Sequence, residues 1–106
     1  MLAGSWFLFR EPGPPFERVE AFTIEQVAPG TAREAFAGVF LGRTDDGRPF
    51  AVAEPANCAL VPVAGGYIDC ADRHYELDGT GRRADLRVLP VQVHRDAVYI
   101  DTSAAE

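Results

Sequence analysis

Apolar positions along the chain fall in short runs rich in β-branched and aromatic residues, each closed by glycine, proline or paired aspartates. No long stretch repeats with the 3.6-residue period of an amphipathic helix, whereas segments such as Leu89-Pro90-Val91-Gln92-Val93 alternate with the period of two expected for half-buried strands. The pattern predicts strands at Phe22–Val27, Ala32–Ala37, Val39–Arg43, Phe50–Ala53, Gly66–Asp69, Tyr75–Leu77, Leu89–Val93 and Ala97–Asp101. Strands this short need several neighbours, so an all-β antiparallel sandwich or barrel is expected.

Turn chemistry supports this division. Asp45-Asp46-Gly47 separates two apolar runs and reads as a hairpin turn, because glycine tolerates the positive φ such turns need. His94-Arg95-Asp96 reads as the last hairpin turn. Residues 1–20 differ in character from the rest. Trp6-Phe7-Leu8-Phe9 leads into Arg10-Glu11-Pro12-Gly13-Pro14-Pro15, a stiff connector in which each proline fixes φ and removes a donor. They read as an N-terminal arm ahead of one domain at 21–106. The tetrad serves either as an extra edge strand over the core or as a docking arm that joins a partner's sheet or a second copy of the chain.

Composition narrows the function classes. The 106 residues suffice for one domain and one core, and 47% hydrophobic with 25% charged residues is ordinary for a globular chain. A net charge of −6 repels phosphate backbones, so nucleic-acid binding is not expected. The run from Leu2 to Phe9 is broken by Gly4 and Ser5 and lacks a basic leader, so it reads poorly as a signal peptide. No segment is long enough to span a bilayer. The expected location is cytoplasmic, and two cysteines are too few for a secreted disulfide framework.

Two short elements frame the chemistry: Cys58-Ala59-Leu60 and Cys70-Ala71-Asp72-Arg73. Around them lie Arg43-Thr44-Asp45-Asp46-Gly47, Phe50-Ala51-Val52, Tyr67-Ile68-Asp69 and Tyr75-Glu76-Leu77-Asp78-Gly79-Thr80-Gly81. In this order the segments resemble a Rieske iron-sulfur domain between about Phe22 and Asp101. The resemblance implies a Rieske-like fold with a small inserted three-stranded subdomain, a tip at about 54–78, and a Cys-x-His with a later Cys-x-x-His as cluster ligands.

This chain departs from that pattern where it counts. A Rieske centre needs two thiolates and two imidazoles, and the imidazole positions hold Leu60, which has no lone pair, and Arg73, which stays protonated. Cys58, Leu60, Cys70 and Arg73 therefore read as degenerate cluster positions, with no cofactor expected and an unusually ligated 2Fe-2S cluster as the alternative. His74 recovers at most one imidazole by a one-residue slip. Cys58, Cys70 and His74 with water would make a Cys₂His zinc site, but their spacing matches no recognised module. Because the parent fold brings both cysteines to one iron, their sulfurs start close together. Cys58 and Cys70 are then either a disulfide or a buried free pair behaving as small hydrophobes.

Other motifs carry less. Asp78-Gly79-Thr80-Gly81 lacks the lysine and helix of a phosphate loop and reads as a turn. Arg82, Arg83 and Arg87, with Arg73, are either solvated loop charges or an anchor for a partner's carboxylate. No catalytic constellation is visible, so the protein is not expected to be an enzyme by itself. The resemblance implies an accessory or docking subunit of an oxidoreductase or oxygenase system, with Leu60, Val61, Arg73 and His74 meeting a protein partner. The rival class is a ferredoxin that passes electrons to an oxygenase.

Overall fold

The computed structural model describes residues 12–105. Ten strands run in chain order: β1 Phe16–Thr23, β2 Thr31–Phe36, β3 Val39–Arg43, β4 Pro49–Ala53, β5 Val61–Val63, β6 Gly66–Ile68, β7 His74–Glu76, β8 Arg87–Leu89, β9 Val91–His94 and β10 Ala97–Asp101. They form three antiparallel sheets ordered β1-β10-β9, β2-β3-β4-β8 and β5-β6-β7. The described residues are all-β, but their sheets do not close into a barrel.

The middle sheet explains the layering. β3 is buried along Val39, Phe40, Leu41 and Gly42, and in a strand successive side chains point to opposite faces. Val39 and Leu41 enter one core with Ala51, Val19, Phe22, Val98 and Ile100, while Phe40 enters a second core with Val52, Leu60, Tyr67, Tyr75, Leu77 and Leu86. The first core joins the β1-β10-β9 sheet to the middle sheet. The second joins the middle sheet to β5-β6-β7. A continuous apolar run thus marks a strand covered on both sides.

Several expectations need correction. Phe22–Val27 is not one strand: β1 ends at Thr23, and Ile24–Gln26 forms a 3-10 turn. Gln26 Oε1 accepts the Thr23 N–H at 3.0 Å, and the chain bends so that Ile24 and Val27, three residues apart, both reach the core. β1 starts at Phe16 and pairs with β10, so residues 16–20 belong to the first sheet and not to an arm. The Trp6–Phe9 tetrad lies outside the described residues.

Leu89–Val93 divides at Pro90, which cannot donate to a ladder. Leu89 stays in the middle sheet opposite Ala51, whereas Val91 crosses to the first sheet opposite Ile100. Val61–Val63, which lies outside the segments that the pattern marks as strands, is strand β5. At the β9–β10 turn Arg95 and Asp96 both have positive φ, 50° and 68°, as a two-residue primed hairpin requires. No helix among the described residues is long and apolar enough to cross a membrane.

Candidate functional site

The cysteine-bearing end of the molecule is assembled from a loop and a turn. The loop after β4 is held by hydrogen bonds within itself: the Cys58 N–H donates to the Pro55 carbonyl at 3.2 Å, Asn57 takes φ 58°, and the Glu54 side-chain Oε2 accepts the Leu60 N–H at 3.2 Å. The turn between β6 and β7 brings Cys70 against it. Cys58 and Cys70 are joined by a disulfide with Cα atoms 5.2 Å apart, and the Cys70 N–H donates to Cys58 Sγ at 3.1 Å. Of the two readings open for the thiols, the structure takes the bonded one.

Asp69 organises the turn. It is 6% exposed, and buried carboxylates need partners. Its Oδ1 accepts the N–H groups of Ala71 at 2.8 Å and Arg73 at 3.0 Å, and its Oδ2 accepts the Tyr75 hydroxyl at 2.8 Å. Burial pushes the Asp69 carboxyl up, but these three bonds and the charge of Arg73 outweigh it, so its pKa lies below the ordinary value. Tyr75 is raised by the same bond to Asp69, by burial and by the carboxylate's charge, with Arg73 opposing. Sequence reading missed this pair. The available signal was an aspartate ending a strand ahead of a tight turn, where its side chain caps following N–H groups.

The four positions that the Rieske resemblance would make cluster ligands do not fit an iron-sulfur cluster. The two sulfurs are bonded to each other, Leu60 is 4% exposed inside the second core, and the Arg73 guanidinium faces Asp69 and Tyr75. Nor does the disulfide leave thiolates for zinc beside His74. Among the described residues no group of three or more histidine, cysteine or acidic side chains is placed to hold a metal.

Leu60 is also buried. Its isobutyl group packs with Phe40, Val52 and Tyr67, so of the four expected partner-facing residues it is withdrawn from solvent. Of the other three, Val61 and His74 lie on the outer side of the tip. Val61 pairs with Ile68, and Ile68 with His74. Directly opposed residues of antiparallel strands project to the same face, so Val61, Ile68 and His74 form one row across the third sheet. Val61 is 56% exposed, and Arg73 precedes the row's far end. On the opposite face Tyr67 and Tyr75 point into the core.

Glycine permits this close stacking at Gly66, where an added Cβ would overlap the Tyr75 carbonyl oxygen. Compared with known proteins, the chain matches no family model, no curated protein and no solved structure.

Two open grooves flank Tyr75. One, of about 660 Å³, runs between Arg73–Glu76 and Thr80–Ala84. The other, of about 600 Å³, lies beside the disulfide and is bordered by Glu54, Cys58, Asp69 and Arg87. Arg73, Tyr75 and Ala84 line both.

Proposed function

We propose that this chain is a cluster-free, Rieske-like docking subunit of an oxidoreductase or oxygenase system, non-catalytic by itself, that meets a protein partner through the outer face of its disulfide-closed tip. The observation that carries the reading is the row Val61–Ile68–His74 on the third sheet, ending beside Arg73. A half-exposed apolar patch flanked by a cation has the make-up of an interface core with a polar anchor. The position of the two cysteines on adjoining loops at that end agrees with a tip of Rieske type, and the side chains at Leu60 and Arg73 remove its redox chemistry.

The surface differs from the one expected from sequence by one residue. Leu60 supports it from inside, and Ile68 takes part in its place. The test is co-purification from a native host of candidate oxidoreductase components with the chain and with Val61→Asp, His74→Ala and Arg73→Ala variants. Loss of the same co-purifying component in all three, with circular dichroism unchanged, is the expected result. Equal recovery by all three variants would show that the partner binds elsewhere, and red-brown protein with acid-labile sulfide would favour the electron-transfer class.

A further inference from the structure

The larger groove sorts the arginines in a way that sequence left open. Of the ten arginines, Arg73, Arg82 and Arg83 line this groove together with His74. Arg87 does not; it borders the other groove and donates to the Ala104 carbonyl at 3.3 Å. Consecutive side chains of an extended strand point apart, but the backbone bends at Arg82 and Arg83, so both reach the same space.

The groove is built on fixed backbone. Tyr75 forms an isolated bridge with Gly81, the Glu76 N–H donates to the Thr80 carbonyl at 2.8 Å, and Asp85 Oδ1 accepts the Gly81 N–H at 3.0 Å. Gly81 is required because an added Cβ would lie 2.7 Å from the Tyr75 ring. Asp85 is thereby committed to the loop. Among the described residues, no salt bridge engages the guanidinium of Arg82 or Arg83, although Asp72 and Glu76 also line the groove.

We propose that this groove receives a short acidic segment of the partner protein, its carboxylates held between Arg73 on one wall and Arg82 and Arg83 on the other. The inference rests on the docking reading of this end and adds the partner's chemistry. Guanidinium forks suit carboxylates, which accept two parallel N–H bonds. The groove, of about 660 Å³, is far larger than a single carboxylate needs, which suits a chain segment. The protein's net charge of −6 repels an extended acidic surface, so only a local segment presented to the arginines is attracted. The adjoining Val61–Ile68–His74 row would then meet apolar residues next to that segment.

The test uses the full oxidised chain, labelled with ¹⁵N and titrated with an acetylated, amidated tetraglutamate peptide or with succinate. Saturable shifts at the Gly81 amide and at arginine Nε–H signals are expected with the peptide, and weaker binding with succinate. The double variant Arg82→Ala/Arg83→Ala should weaken peptide binding about tenfold or more, and Arg18→Ala on β1 should leave it unchanged. Raising salt from about 50 to about 300 mM should also weaken it. Absence of saturable binding, equal affinity in the double variant, or succinate binding as tight as the peptide's would each overturn the proposal. Val61→Asp keeps the groove, so a variant that binds peptide but loses the partner separates failure here from failure of the docking reading.

Discussion

Replacing Leu60 with alanine separates a core residue from a contact residue. Leu60 is 4% exposed and packs in the second core with Phe40, Val52, Tyr67, Tyr75, Leu77 and Leu86. Leu60→Ala deletes three carbons, which at about 0.8 kcal/mol each gives about 2.4 kcal/mol of lost transfer energy. An incompletely collapsed cavity adds to this, within the range of about 2 to 5 kcal/mol seen for such truncations. We take about 3 kcal/mol, in the lower half of that range.

At about 4 °C per kcal/mol for a domain of this size, the melting temperature should fall by about 12 °C. Urea unfolding of the oxidised protein, followed by circular dichroism, measures the change as a lower midpoint at unchanged slope. Val61→Ala on the neighbouring, half-exposed position should stay within about 0.5 kcal/mol of the parent. A Leu60→Ala variant as stable as Val61→Ala would refute the burial of Leu60 and return it to the surface.

Replacing both Cys58 and Cys70 by serine opens a loop with sequence separation 12; chain entropy sets the loss at about 3 kcal/mol, read as a lower urea midpoint, and equal midpoints would mean that the bond constrains nothing. Asp69 has a lowered pKa in the fold, so the stability it supplies is present above its unfolded value and is lost as pH falls through the lower folded value. Midpoints measured from about pH 6 to about pH 2 should therefore fall on the acid side, and Asp69→Asn should flatten that fall, leaving a residue from Asp78, which hydrogen bonds from Thr80 also hold low. An unchanged slope in Asp69→Asn would show that another group governs the acid limb. The Tyr67 hydroxyl is buried with no partner among the described residues, and burial pushes its phenol up. Tyr67→Phe should be neutral or stabilising, by up to about 1 kcal/mol, and a loss of that size in the same urea assay would reveal a hidden partner.

Local signals were the legible ones. Val39–Arg43 and Ala97–Asp101 fall where the pattern puts them, because each is an apolar run bounded by turn residues. Gly47, with φ 88°, closes the β3–β4 turn that Asp45-Asp46-Gly47 announces. Signals that depend on tertiary placement were not legible. Pro62 argues against a strand, yet β5 is the edge of its sheet, where a missing N–H disrupts no ladder. Pro90 hides a crossing between sheets inside one alternating run.

At the tip, sequence pointed to the two cysteines and to Arg73 but could not place Leu60. An apolar residue beside a cysteine has the same letter whether it faces a partner or the core, and only the stacking of β5-β6-β7 on the middle sheet decides. Asp69 escaped notice for a related reason. Its role depends on the Tyr75 hydroxyl reaching back across the β6–β7 turn, and no spacing rule encodes that contact.

What the two sulfurs bind decides between a docking subunit and an electron carrier. Native mass spectrometry of protein made with ample iron and handled without oxygen reads this directly. The expected species is a metal-free chain, lighter by two hydrogens than the same sample after reductant, as a Cys58–Cys70 bond requires. A chain carrying two irons and two inorganic sulfides, with free thiolates once they are stripped, would contradict it.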